Sequence, residues 1–126
     1  MNIDAHRAKA DAIERSLARC STADYETIIE GCMLAGTHWF NIVLHQQGLL
    51  PIDRDAMHAE FLTIAQRRKV ACTMSAALAA LDTIESLRTR HVRGDLPGGA
   101  LAAQRALASL TELRRTATYA ASPTST

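Results

Sequence analysis

The stretch "VACTMSAALAALDTIESLR", Val70 to Arg88, decides the fold. Val70, Met74, Ala77, Leu81, Ile84 and Arg88 recur at helical spacing and give one continuous face, apolar until its last position. The stretch lies inside a longer span, Arg54 to Val92, that contains neither Gly nor Pro. One helix across that span would be ~57 Å long at ~1.5 Å per residue, too long for a small domain. The span is therefore read as two helices with a break around "AQRRK", Ala65 to Lys69, a single long helix being the alternative.

The same spacing extends outward in both directions. Ile3, His6, Ala10, Ile13, Leu17 and Cys20 mark a first amphipathic helix from about Asp4 to Arg19. Ser21 and Thr22 are N-cap residues for a second, with Asp24 and Glu26 favourable in its first turn. Tyr25, Ile28, Cys32, Ala35, Trp39 and Val43 form its apolar stripe, and Gly48 suits a left-handed stop. Pro51 makes "GLLPID" a connector, and Asp53 can cap a helix starting near Arg54. "RGDLPGG" is a loop, after which Leu101, Leu107, Leu110 and Leu113 mark a last helix to about Thr118. The expectation is all-α, an antiparallel four- to five-helix bundle forming one domain, residues 1–118, with a disordered tail over 119–126.

Composition agrees with helices. The chain has 126 residues, 48% hydrophobic and only 4% aromatic, so much of its apolar share is alanine, a strong helix former and a poor strand former. Charge is unevenly placed: nine acidic and five basic residues up to position 60, four acidic and nine basic after it. Cys20, Cys32 and Cys72 are odd in number and far apart, against a disulfide framework or a Cys-based zinc site. No apolar run is long enough to span a bilayer, and the first residues lack a signal core, so a cytoplasmic protein without membrane contact is expected.

Two segments carry a resemblance. "AGTHWFNIVLHQQGLLPIDRDAMHAEF" is similar to the second and third helices of HEPN-domain proteins, through His38, Gly48, Pro51, His58 and Phe61. "LRTRHVRGD" resembles that family's signature segment, and the likeness covers roughly residues 22–118. It implies a HEPN-like bundle. Active HEPN members are metal-independent ribonucleases that use an Arg followed by a His after four to six intervening residues. There the His moves protons at the ribose 2′-hydroxyl and the Arg neutralises phosphate. Here Arg88 takes the Arg position, Thr89 stands where Asn is usual, and Arg93 where the His should be. His91 is only three residues from Arg88, and no arginine in the chain has a His at the required spacing. The resemblance thus implies a degenerate, non-catalytic member, a binding or interaction protein. Its implied partners are a second copy, a nucleotidyltransferase, or nucleotide or RNA. The alternatives are a ribonuclease using His91 with Arg88 or Arg93, and a dimeric bundle with no ligand at all.

Individual residues sharpen these readings. Arg88 and Arg93 are the candidate anion-binding pair, because Arg90 points some ~200° from Arg88 on a helix. Arg88 shares the apolar stripe with Leu81 and Ile84, so it needs an acceptor: Glu85 or Asp95 within the chain, or Glu30 across a dimer. His38, Trp39 and Phe40 are the candidate dimer surface, and Cys32 and Cys72 read as small buried residues. His38 and His45 lie ~10.5 Å apart along a helix axis, too far to share one ion with ~2.0–2.1 Å bonds. No metal site and no cofactor are expected from the sequence.

Overall fold

The computed structural model describes residues 1–56 and 63–121. Among them are five helices and no strand: α1, Ile3–Leu17; α2, Tyr25–Gln46; α3, Ile64–Thr73; α4, Ser75–Arg88; and α5, Gly99–Ala121. The all-α bundle expected from periodicity is what forms. Helix α2 packs against α1, α4 and α5, and α4 also packs against α5, while α3 lies against α4. No single helix among the described residues is long and apolar enough to cross a membrane.

Local chemistry sets the ends. The Asn2 side chain accepts from Ala5 N and starts α1. Ser21 and Asp24 form a reciprocal capping box ahead of α2, as the Ser21 reading anticipates. Gly48, at φ +69°, closes the chain after α2 in the left-handed region. At the start of α5 a different constraint acts: a Cβ at Gly99 would sit 2.5 Å from ring carbons of Tyr25. That close approach lets α5 lie against the beginning of α2.

Four expectations are corrected. Asp53 caps no helix among the described residues; residues 51–56 are non-helical, and Thr63 caps α3 through a box with Gln66. The break between α3 and α4 falls at Met74 (φ −140°, ψ 52°), not at "AQRRK", which lies inside α3. Those basic residues are good helix formers, and Arg68 and Lys69 are simply exposed. Arg67 Nη2 reaches Asp82 Oδ2 at 2.7 Å, which requires the chain to fold back between them. Cys72 is exposed on α3, while Cys32 is buried in the core and its thiol is pushed up to about 12 by burial. Helix α5 also runs through Ala121, into the segment expected to be tail; residues 122–126 lie outside the described residues, as do His58 and Phe61.

The core is continuous from Ile28 and Ile29 through Phe40 and Leu44 on α2, meeting Leu81 and Ile84 on α4 and Leu110 and Leu113 on α5. Asn41, a buried polar residue of α2, lies beside it. Asn41 Nδ2 donates to Thr37 O and to Ala56 O, and Asn41 Oδ1 accepts from Ala56 N, each at 2.8 Å. This single side chain satisfies both backbone groups of Ala56 and fastens the connector after Pro51 to α2. Replacing Asn41 by Leu strands both groups. The expected cost is roughly 2–4 kcal/mol of unfolding free energy, read as a lower urea midpoint.

Candidate functional site

Several polar residues of α2 share one stripe with Met33 and Leu34. Glu30, Met33, Leu34, Thr37, His38 and Asn41 follow helical spacing and line a cleft of about 240 Å³. His6 from α1, Asp55 and Ala56 from the connector, and Arg88 from α4 complete it. Leu34 is 58% exposed at this cleft.

The histidine end is a connected cluster. His6 Nδ1 lies 2.9 Å from His38 Nδ1, and His6 Nε2 lies 2.9 Å from Asp55 Oδ1. His45 Nε2 approaches the same Asp55 oxygen at 2.9 Å, and His45 Nδ1 faces Leu50 O at 3.1 Å. The imidazoles of His6 and His45 are stacked with centroids 5.4 Å apart, and both side chains are buried. Asp55 Oδ2 also meets the Met1 amino group at 3.3 Å.

Burial and partners shift these groups. Burial holds His6 below the ordinary histidine value, against the opposing pull of Asp55; His45 and the Met1 amino group add to the lowering. His38 is lowered too, first by burial and then by the neighbouring His6. Burial pushes Asp55 up, but hydrogen bonds from His6 and His45 outweigh it and leave the carboxyl below its usual range. An ionised Asp55 bonded to His6, with His6 and His38 both resisting protonation, is the electrostatic signature of this end.

The arginine end is already paired. Arg88 Nε donates to Glu30 Oε1 at 2.9 Å, and Arg88 Nη1 lies 3.7 Å from Glu85 Oε1. The acceptor Glu30, expected across a dimer, is within the same chain, and Asp95 is not used. Arg93 is exposed and does not line the cleft, so the two arginines paired in the sequence reading are not joined in one site. His91 is only 8% exposed, with Nδ1 3.1 Å from Leu96 O, where it fastens the loop after a widened last turn, Thr89–Arg93. Its ring serves the loop rather than the cleft.

Trp39 and Phe40 are 2% and 1% exposed and belong to this chain's own core, so neither forms a surface for a partner. The Trp39 indole Nε1 donates to Glu14 Oε2 at 2.8 Å, and Arg114 holds the other Glu14 oxygen at 3.2 Å. Of the three expected interface residues only His38 is partly open, and it faces the cleft.

Sequence reasoning missed His6 and Asp55. His6 reads as one more position on the first helix's buried stripe, and Asp55 as one of several connector acids. The legible signal was the polar stripe Thr37, His38, Asn41 and His45 on an otherwise apolar helix, which demands buried partners. His45 meets His6 and Asp55, and His38 stands behind His6.

No protein-family model, curated protein or solved structure matches this chain.

The histidine shifts give a pH dependence with a definite sign. Unfolded histidines take up protons below about 6.5, whereas folded His6 and His38 refuse them until lower pH. Their contribution is full above that value and is lost as pH falls below it. Calorimetric melting is expected to drop between about pH 7.5 and about pH 5.5, with a shallower drop in His38→Gln.

Proposed function

We propose that this protein works by binding a small cation in the cleft along α2, and that the arginine-rich end of α4 is structural. The observation that carries this reading is the charge of the lining. Two carboxylates, Glu30 and Asp55, line the cleft beside histidines held neutral by burial. The guanidinium that lines it, Arg88, stands between Glu30 and Glu85 and is 18% exposed. A phosphate placed there would meet two carboxylates, and a nucleotide or RNA backbone is disfavoured for the same reason. The reading keeps the expectation of a binding protein raised by the HEPN resemblance and changes the sign of the ligand.

The ribonuclease alternative is weakened by the occupation of His91 at the Leu96 carbonyl and of Arg88 at Glu30. Metal-independent RNA cleavage needs a histidine free to exchange protons beside a cation free to meet phosphate.

One set of measurements tests the proposal. Thermal-shift and calorimetric titrations should show binding of at least one small cation among zinc, cobalt(II) and a short diamine. Inorganic phosphate and ATP should give no saturable signal at low salt. Single-stranded RNA should stay intact. Arg88→Ala should cost roughly 1–2 kcal/mol of stability, because it removes the ion pairs to Glu30 and Glu85. Phosphate binding abolished by Arg88→Ala, or RNA cleavage abolished by His91→Ala, would overturn the proposal.

A further inference from the structure

His6, His45 and Asp55 come from three separate segments, α1, α2 and the connector, and present three ligand atoms within 4.8 Å of one another. The Nδ1 of His45 faces the Leu50 carbonyl, an acceptor without a proton, which turns Nε2 toward Asp55 Oδ1, 2.9 Å away. His6 turns its Nε2 to the same oxygen at 2.9 Å, with its Nδ1 against His38 Nδ1, which can donate to it or accept from it.

From this geometry we infer that His6 Nε2, His45 Nε2 and Asp55 Oδ1 form a site for a divalent transition metal ion of the zinc, cobalt or nickel type. The inference rests on the reading that the cleft takes a cation, and it names the ion and its ligands. Two imidazoles and one carboxylate select such ions over magnesium or calcium, which prefer all-oxygen surroundings. Ligand atoms ~2.0–2.1 Å from a tetrahedral ion sit about 3.3 Å apart. The two nitrogen–oxygen pairs at 2.9 Å open by a few tenths of an ångström to reach that spacing, and the two nitrogens, within 4.8 Å of each other, draw together toward it.

Each imidazole is also held from behind. His45 is oriented by the Leu50 carbonyl, and His6 by His38, the kind of outer support that fixes ring direction and ligand basicity at metal sites. With three protein ligands, a fourth position remains for water or a small ligand. It opens toward the cleft, which His6 and Asp55 line and His45 does not. His38 lines the same cleft and acts here as a positioning residue for His6. Because the ligands come from three segments, the ion would also clamp the connector to the bundle and so raise the melting temperature.

The test uses the full, untagged chain stripped with a chelator. Calorimetric titration with zinc is expected to show one equivalent bound with a rise in melting temperature. Cobalt(II) is expected to give the intense visible bands of four-coordinate nitrogen and oxygen ligation. Asp55→Asn keeps the side chain's shape and removes its charge; it is expected to weaken zinc binding by on the order of 100-fold or more, as is His45→Ala. His38→Ala is expected to weaken it about 10-fold through His6, and His91→Ala to leave it unchanged. Circular dichroism of each variant confirms that it is folded, and Asp55→Asn carries the test if a histidine variant is not. Wild-type chain that binds no zinc or cobalt, or Asp55→Asn that binds zinc as tightly as wild type, overturns the inference. Failure of the metals with saturable binding of a short diamine sinks the metal site but leaves the cation cleft standing. Failure of all three cations sinks both.

Discussion

Helix α2 is packed by α1, α4 and α5, and that burial is the constraint on which the rest of the molecule depends. A helix so enclosed has to be apolar nearly all round, and α2 is: Ile28, Ile29, Cys32, Phe40, Ile42, Val43 and Leu44 are all buried. Every polar side chain it keeps must then find a partner from another segment or leave an unsatisfied group. Asn41 finds Ala56, His45 finds Asp55 and the Leu50 carbonyl, His38 finds His6, and Glu30 finds Arg88. These pairings draw α1, the connector and α4 onto one face of α2, and the cleft is the space left between them.

Asp55 is the busiest of these partners. Its carboxylate meets His6, His45 and the Met1 amino group, and those contacts keep it ionised despite the burial that opposes its charge. The same arrangement both fastens the connector and concentrates negative charge where two imidazoles converge. Structure and chemistry are not separable at this point. The contacts that hold residues 51–56 in place are the ones that would give a cation its ligands.

The other end of the cleft works differently. Arg88 lies at the close of α4, where a cation opposes the negative end of the helix dipole, and it is also bonded to Glu30 on α2. It thus ties the second and fourth helices together, with its guanidinium set between two carboxylates. His91, a turn later, is spent on the Leu96 carbonyl and orders the loop that delivers α5. In this segment Arg88 closes α4 and His91 closes the loop that follows.

The sequence by itself determined the helices, because helical periodicity and end signals are local. The spacing of Val70 through Arg88, the capping Ser21 and the left-handed Gly48 each act within a few residues, and each was legible. The break at Met74 was not: it shows in the fold-back of α3 on α4 that brings Arg67 to Asp82, a long-range outcome rather than a local signal. Trp39 and Phe40 could be assigned to a helix but not to the inside of this chain, because burial on both faces depends on how three other helices surround α2. The histidine cluster was least legible of all. His6, His45 and Asp55 are separated by up to forty-nine residues, and only the packing of α1 and the connector against α2 brings their polar atoms together. Local chemistry wrote the elements; long-range packing decided which side chains share a site.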